Sequence, residues 1–315
     1  MRPVHAEGIT SSGIGLDVGG TKLAGAVVDP SGSVVARDRR ATPRGDGEAV
    51  VKACVQSAEH LLSVARSGGL VAGPIAIAMP GTIDRATGTV VDSPVLSMRN
   101  VPMVEIAQQA LGHPITVLHD VKAAAFGELV AGAGIGQADA AYLNLGTGVS
   151  MAFVFGWKVH QGSSGTAGEI GHVVVDPDGA LCNCGRRGCL ETVASGPAIA
   201  RAAGQSDGRL ETVAEAARHG DARAIEALHQ AAEHLGRVLA DFAMVMDVGL
   251  LMVGGGVSAV GPSLLEPLQA SLDRHLGDVV ESVKVVPAAM GADSGVIGAA
   301  HWSRLTHNGG TSHSW

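Results

Sequence analysis

The chain has 315 residues, of which 46% are hydrophobic but only 3% are aromatic. A chain of this length predicts about two domains, whose cores must be built mainly from aliphatic side chains. The formal net charge of −8 argues against binding to a nucleic-acid backbone, and the lack of a long apolar run or signal-peptide pattern predicts a cytoplasmic protein without a membrane partner.

The first predicted element is a β-hairpin whose turn is suited to bind phosphate. A strand over residues 14–18 leads into Gly19-Gly20-Thr21 and then into a second strand over residues 22–28. Backbone N–H groups and a threonine hydroxyl in such a turn can face phosphate oxygens, and Asp17 can organise a hydrated Mg²⁺. An ordinary Gly-Gly hairpin is the alternative. The residues expected to face a nucleotide here are Asp17, Gly19, Gly20, Thr21 and Lys22.

Helices and strands then alternate up to Asp120. The pattern predicts helices over residues 49–67, 104–111 and 121–133 and strands over residues 75–79 and 115–119. Asp120 lies between the last of these strands and the helix after it, where a crossover places side chains in a crevice. An aspartate at the start of a helix can equally be an N-cap, so the pattern alone leaves both roles open.

The second half of the chain contains two further glycine-rich turns. Residues 143–148 repeat the strand, Gly and Thr pattern of the first hairpin, and a strand near residues 250–253 ends in three glycines, against which a flat ring could lie. Neither a Walker P-loop nor a Rossmann dinucleotide motif is present in the sequence. The repeated turns therefore favour a duplicated fold with a nucleotide between its halves. The residues expected to bind it are Gly146, Thr147, Gly148, Gly254, Gly255 and Gly256.

Three cysteines and a histidine within residues 169–191 are the most informative feature of the sequence. Cys182 and Cys184 are too close in sequence to pair comfortably, so their spacing with Cys189 favours a shared metal over disulfides. Together with His172, the three thiolates complete a tetrahedral Cys3His site for structural Zn²⁺. A buried cluster of reduced cysteines is the alternative. Free thiols in either case agree with a reducing cytoplasm.

This segment, followed by Thr192, Ser195, Gly196 and Pro197, resembles the signature of the ROK family of sugar kinases and repressors. The resemblance extends over residues 14–300 and connects the chain to the superfamily of actin, hexokinase and Hsp70. It implies an α/β fold of two ribonuclease H-like domains with a nucleotide and sugar cleft between them. Because Glu169, His172 and Glu191 come from one half of the chain and Asp120 from the junction with the other, the domains are expected to close when sugar binds. The expected domains are residues 13–120 plus 292–305 and, with the zinc loop, residues 121–291.

The resemblance also implies roles for single residues in phosphate transfer from ATP. Asp120 matches the family's general base, which accepts the proton of the attacking hydroxyl. One ring nitrogen of His172 would face the sugar while the other binds zinc, which fixes the tautomer of the ring. The family further implies a homodimer. The expected substrate-binding residues are Gly81, Val95, His119, Asp120, Glu169, His172 and Glu191.

Three departures from the family pattern bear on the substrates. ROK hexokinases usually have Asn-Asp-x-Asn where this chain has His119-Asp120-Val121-Lys122, and Pro-Asn-Leu where it has Pro94-Val95-Leu96. Two lost hydrogen bonds to buried hydroxyls would cost about 2 to 6 kcal/mol for an unchanged hexose. A modified ring, such as an aminosugar or a C7 cyclitol, is therefore expected in place of glucose. Ser150-Met151-Ala152 replaces a further glycine run and could reshape a phosphate loop.

The predicted function is an ATP-dependent kinase for a primary hydroxyl of a hexose or hexose-like cyclitol. A divergent glucokinase that uses plain glucose is one alternative. A catalytically weak, sugar-binding sensor is another, because it could keep the zinc loop while losing nucleotide contacts. A repressor is disfavoured, since about a dozen residues before the first strand are too few for a helix-turn-helix.

Overall fold

The computed structural model describes residues 11–256, 260–278 and 280–307. In chain order, the strands are β1 (Ser12–Val18), β2 (Lys22–Val28), β3 (Val34–Ala41), β4 (Ala72–Met79), β5 (Thr82–Asp84), β6 (Thr89–Ser93), β7 (Met98–Val101), β8 (Ile115–His119), β9 (Ala140–Leu145), β10 (Val149–Phe155), β11 (Lys158–Val159), β12 (Leu250–Gly255) and β13 (Lys284–Pro287). The α-helices are α1 (Gly47–Ser67), α2 (Met103–Leu111), α3 (Asp120–Ala131), α4 (Glu191–Ala194), α5 (Gly196–Ala202), α6 (Leu210–Arg218), α7 (Ala222–Met246), α8 (Pro262–Leu276) and α9 (Ser294–His307).

The chain forms two compact units. The first comprises the described residues up to Gly136, Trp157–Ala167 and the described residues from Asp293 onward, and the second comprises Gln137–Gly156 and Gly168–Ala292. Each unit has a hydrophobic core of its own, made almost entirely of aliphatic side chains. This composition follows from the low aromatic content, because Leu, Ile, Val and Ala must then supply the buried apolar area.

A five-stranded sheet forms the centre of the first unit, with the order β3-β2-β1-β4-β8. Strand β1 is antiparallel to β2 and parallel to β4, and β4 is parallel to β8. The near-continuous apolar character of β1, β2 and β4 reflects burial of both faces of these strands. Because β1, β4 and β8 are parallel and in register, their carboxyl ends meet at one edge of the sheet.

The second unit contains four strands in the order β10-β9-β12-β13. Strand β9 is antiparallel to β10 and parallel to β12, and β12 is parallel to β13. The order and the directions repeat those of β2-β1-β4-β8, as a duplicated fold requires. Helix α7 packs on α8. Its N-cap is Asp221, whose carboxylate accepts hydrogen bonds from the amides of Arg223 and Ala224.

The boundary between the units differs from the one expected from the sequence. The expected second domain begins at residue 121, whereas α3 and residues 157–167 group with the first unit by their contacts. Helices α3 and α9 approach so closely that a Cβ on Gly298 would lie 1.8 Å from the carbonyl oxygen of Ala123. The rings of Phe126 and Trp302 also meet edge to face, with centroids 5.1 Å apart. The sequence pattern marks where α3 begins but not the element against which it packs.

The helices and strands predicted with bounds in the sequence agree with the structure to within a few residues. The small sheet β5-β6-β7 and helices α4 and α5 were not predicted. Their strands or turns are too short to give a clear period in the sequence. Within the described part of the chain, no helix combines the length and the apolar character that a membrane crossing requires.

Candidate active site

Three of the predicted site residues lie at the carboxyl edge of the first sheet. In the parallel registers, Asp17 on β1 is opposite Ala78 on β4, and His119 on β8 is opposite Met79. Asp120 follows β8 directly and begins α3. Side chains at such an edge are well placed to meet a ligand in an α/β fold.

Asp17 is a carboxyl group with an unusual proton affinity. Burial, followed by the negative charge of Asp120, raises the pKa of Asp17 from 3.8 to about 7, and the charge of Lys22 opposes this shift. A Cβ on Gly295 would lie 2.5 Å from Asp17 Oδ2, so a glycine at the start of α9 leaves room for the carboxylate. Sequence reasoning missed Gly295, which carries no local signal. Two neighbouring carboxyl groups that repel each other favour a divalent cation, because its charge stabilises both ionised forms.

Asp120 is the first residue of α3, and the N-cap position belongs to His119. Asp120 Oδ1 accepts a hydrogen bond from the amide of Val121 at 2.7 Å and lies 2.9 Å from His119 Nδ1. The same amide is 3.4 Å from His119 Nδ1, so the carboxylate is its better acceptor and Nδ1 can donate to Asp120. Burial raises the pKa of Asp120, but the hydrogen bond and charge of His119 and the amide of Val121 outweigh it, so the pKa is lowered overall. The side chain is 34% exposed; it can therefore meet a ligand in its ionised form.

The hairpin turn between β1 and β2 only partly matches the expected phosphate site. The amide of Gly19 donates to the carbonyl of Lys22 at 2.9 Å, so it is used inside the turn. Thr42 supports the turn through two hydrogen bonds. Its hydroxyl donates to the carbonyl of Gly19 at 2.7 Å, and its amide donates to the carbonyl of Thr21 at 3.1 Å. Thr21 is exposed. The turn is therefore rigid, and the hydroxyl of Thr21 is accessible to a ligand.

Val95 lies beside this turn in the first unit. It is 60% exposed within the 3-10 turn Pro94–Leu96, and a Cβ on Gly20 would lie 2.7 Å from Val95 Cγ1. Gly81, after β4, has φ of +114°. A Cβ on Gly81 would lie 2.4 Å from the carbonyl oxygen of Asp92. Val95 thus presents an apolar surface where the family usually has an asparagine.

The second unit brings its two predicted nucleotide segments together. Strands β9 and β12 are parallel with Leu145 opposite Gly255, so the turn Gly146-Thr147-Gly148 and the run Gly254–Gly256 lie at the same edge. Gly255 has φ of +83°, and a Cβ there would lie 2.4 Å from the carbonyl oxygen of Leu145. Thr147 is exposed. The register therefore joins segments that are about a hundred residues apart in the sequence.

Glu191 reaches this turn directly. Its Oε2 accepts a hydrogen bond from the amide of Val149 at 3.0 Å and would lie 2.6 Å from a Cβ on Gly148. The amide of Gly196 donates to the carbonyl of Gly146 at 2.8 Å. A residue expected to bind substrate thus also supports the turn expected to bind phosphate, a link that the sequence did not reveal.

The predicted zinc ligands converge in the second unit. The ligand atoms of His172, Cys182, Cys184 and Cys189 all lie within 4.8 Å of one another. Two of the separations, Cys182 Sγ to His172 Nδ1 and Cys184 Sγ to Cys189 Sγ, are 3.6 Å. Ligand atoms about 2.3 Å from a tetrahedral zinc ion lie about 3.8 Å apart. The four residues therefore fit a structural zinc ion.

The electrostatics of the cluster also suit a cation. Burial, together with the other two thiols, raises the pKa of Cys189 to about 12. The pKa of Cys184 is lowered, mainly because the amide of Arg186 donates to its sulfur. A metal ion would stabilise the crowded thiolates, since coordination deprotonates a thiol.

His172 presents its two ring nitrogens to different neighbours. Nδ1 faces the thiols, while Nε2 lies 3.9 Å from Glu169 Oε2. The guanidinium of Arg186 donates to the carbonyl of His172 at 3.1 Å and steadies its backbone. Glu169 is 45% exposed and the His172 side chain 33%. Both are therefore accessible to a ligand on the side away from the cysteines.

Comparisons with known proteins agree with this arrangement. The model of the ROK family matches residues 13–305. A glucokinase of Streptomyces coelicolor is 34% identical over 313 residues, covering 92% of this chain and 97% of the relative. An N-acetylmannosamine kinase of Yersinia pseudotuberculosis is 34% identical over 303 residues, covering 93% of this chain and 99% of the relative.

A solved structure is similar as well. The ROK family glucokinase from Streptomyces griseus, in complex with glucose and AMPPNP, has a TM-score of 0.80 and 35% identity, covering 93% of this chain and 99% of that chain. The predictions of an actin-like ATPase fold and of an ATP-dependent sugar kinase are confirmed by these comparisons. With its family model matched over nearly its whole length, the chain belongs to the ROK family.

Proposed function

We propose that this ROK protein uses ATP to phosphorylate a primary hydroxyl of a hexose or a hexose-like cyclitol, with Asp120 as the general base. The observation that carries the proposal is the state of Asp120: its carboxylate is partly exposed, its pKa is lowered, and it follows the carboxyl end of β8. Such a group can accept the proton of the attacking hydroxyl as the bond to phosphorus forms.

Asp17 is the residue that we propose for Mg²⁺, which neutralises phosphate charge when it is bound with the nucleotide. Its neighbouring carboxyl group and the exposed hydroxyl of Thr21 support this role. The turn at Thr147 and the glycines at the end of β12 (Gly254–Gly256) are the proposed nucleotide contacts of the second unit. Their common edge and the free space around Gly146 support the proposal.

Glu169, His172 and Glu191 are proposed to bind substrate hydroxyls. The outward position of His172 Nε2 supports this role, because the zinc-facing Nδ1 would fix the tautomer of the ring. Zinc would then orient the loop and take no part in phosphate transfer. A homodimer remains a further proposal, taken from the family resemblance.

The substrate is proposed to be a modified ring such as an aminosugar or a cyclitol. The exposed Val95 beside Gly20 and the contact of His119 with Asp120 support this choice, since both positions usually carry an asparagine in the family. A substrate that lacks the ring hydroxyls bound by those asparagines loses no hydrogen bond when it lies against the apolar side chain of Val95. The relatives of known activity act on glucose or N-acetylmannosamine, so both sugars belong in the test.

The test is a phosphorylation screen with ATP and Mg²⁺ over hexoses, aminosugars and cyclitols. Activity is measured as ADP release, and mass spectrometry identifies the phosphorylated product. We expect acceptor-dependent ADP release that is lost in Asp120→Asn. Turnover of plain glucose with kcat/KM above about 10⁴ M⁻¹s⁻¹ would support a divergent glucokinase instead. Sugar binding by calorimetry without any phosphorylated product would support the sensor.

A further inference from the structure

Lys122 is a buried lysine that the proposed mechanism does not use. It lies in the first turn of α3, two residues after Asp120, and is 2% exposed. This position is unfavourable for a lysine, because burial removes water from the ammonium group and the amino end of a helix carries partial positive charge. Interactions with other groups must therefore hold the ammonium in place.

Backbone carbonyls of one loop supply such interactions. Lys122 Nζ donates to the carbonyls of Gln161 at 3.1 Å and Gly165 at 2.5 Å. The loop over residues 161–165 has no regular secondary structure, and Gly162 and Gly165 have φ of +74° and +82°. From the exposed side, Arg85 donates to the carbonyl of Gly162 at 3.2 Å. Lys122 is thus the buried anchor of this loop.

The anchored loop leads along the chain to a proposed substrate residue. Glu169 follows Gly165 by four positions, and each residue can extend the chain by at most about 3.6 Å. Gly168, just before Glu169, has φ of +102° and lies so close to Met151 that a Cβ would be 1.8 Å from its carbonyl oxygen. A loop that is fixed at residue 165 therefore restricts the positions that the backbone at Glu169 can reach.

We propose that Lys122 is a positioning residue for substrate binding, whose ammonium fixes the loop over residues 161–165 and thereby the backbone that leads to Glu169. The inference rests on the proposed function for the role of Glu169. ROK hexokinases usually have an asparagine at this position. An asparagine side chain is too short to reach the carbonyls of Gln161 and Gly165, to which Lys122 donates.

Hydrogen exchange of the substrate-free protein tests the anchor without relying on catalysis. The variants are Lys122→Met, which keeps the length of the side chain but removes the donor, and Lys122→Asn, which restores the usual family residue. Lys52→Met, at an exposed lysine of α1, is the matched control. We expect the amides of Met151 and Ile170, which donate to the carbonyl of Gly168 at 2.8 and 2.7 Å, to exchange at least about tenfold faster in both Lys122 variants, because the released loop lets the backbone before Glu169 open locally. The control should exchange as the wild type does.

Kinetics with the substrate found in the screen test the positioning role. We expect KM for that substrate to rise at least about fivefold in both Lys122 variants while kcat changes by less than about threefold, because binding and not proton transfer is affected. Wild-type exchange in Lys122→Met overturns the anchor. Faster exchange with unchanged KM overturns the link to substrate. If Lys122→Met does not fold, Lys122→Leu, which also removes the donor, replaces it in both measurements with the same criteria.

Discussion

At the scale of single residues, the two carboxyl groups of the first unit differ in protonation although they are neighbours. His119 and the amide of Val121 keep the pKa of Asp120 low, whereas burial and the charge of Asp120 raise that of Asp17 to about 7. One environment therefore favours a base that is ionised at neutral pH, and the other favours a group that needs a cation to ionise fully. This division of roles leads to separate predictions for the two residues.

Asp120→Asn should lower kcat by about 10²- to 10⁴-fold while the substrate dissociation constant stays within about tenfold, because a general base acts mainly in the transition state. Asparagine keeps the size of the side chain and an acceptor for the amide of Val121, so the fold should survive. Steady-state kinetics and calorimetry measure the two effects separately. Wild-type turnover by the variant would remove Asp120 from the mechanism.

Asp17→Asn should change how stability depends on pH in buffer without Mg²⁺. Since the folded pKa of Asp17 is raised from 3.8 to about 7, the folded state binds its proton more tightly than the unfolded state. Wild-type stability is therefore unaffected by this group below pH 4 and falls as pH rises to about 7. The loss is up to about 4 kcal/mol, and less where solvent screens the partly exposed group. Urea unfolding from pH 4 to 8 should show a smaller decline in Asp17→Asn; parallel curves for the two proteins would contradict the prediction.

Restoring the usual family residue at both Val95 and His119 should shift the substrate preference toward glucose. Val95→Asn combined with His119→Asn should raise kcat/KM for glucose at least about tenfold, since one restored hydrogen bond of about 1.4 kcal/mol suffices. The single variants are the controls, because His119 also contacts Asp120 at 2.9 Å and its loss alone could lower kcat. A double variant that is no better with glucose would show that these two side chains do not set the preference.

At the scale of elements, the cysteine loop (residues 172–189) and the turn at Gly148 are short segments that lie outside the long helices and strands. The cysteine loop has isolated β-bridges, between Val174 and Cys189 and between Leu181 and Arg187, and short-range backbone hydrogen bonds such as that from the amide of Cys182 to the carbonyl of Arg186 at 2.8 Å. The Gly148 turn is supported by the carboxylate of Glu191.

Protein purified without chelators should contain one zinc ion per chain, and its removal should destabilise the loop, because metal binding and folding are coupled in such sites. Cys189→Ser should lose the metal. Cys54→Ser, at a buried free cysteine of α1 outside the cluster, is the matched control and should keep it. Elemental analysis checks both variants, and zinc-free wild-type protein would refute the site.

Gly148→Ala should lower kcat/KM at least about tenfold, because the new Cβ would lie 2.6 Å from Glu191 Oε2 and displace either the turn or the carboxylate. Gly249→Ala is the matched control. Its position is free of positive φ and has no heavy atom within 4 Å of a built Cβ. Kinetics with saturating ATP and then with saturating acceptor would tell whether the substitution affects the binding of the acceptor or of ATP. Equal activity of both variants would contradict the close contact.

At the scale of the whole molecule, the prediction from sequence succeeded where a local pattern carries the information. The hairpin turns, the strand before Asp120 and the clustering of His172 with the three cysteines are each specified by residues close together in the chain; zinc binding by this cluster stays a prediction. The packing of α3 against α9 was not predictable, because it depends on the close approach of Gly298 to Ala123, almost two hundred residues away. The same holds for Gly295 beside Asp17.

The sequence by itself determined the family, the duplicated α/β pattern and the residue types that carry the chemistry, because periodicity, turn composition and ligand spacing are local properties. Only the tertiary structure decided which nitrogen of His172 faces the thiols, why Asp17 and Asp120 differ in pKa, and that Lys122 donates to the carbonyls of Gln161 and Gly165. These features arise from burial and from contacts between distant segments. Their energies depend on distance in space and not on separation along the chain.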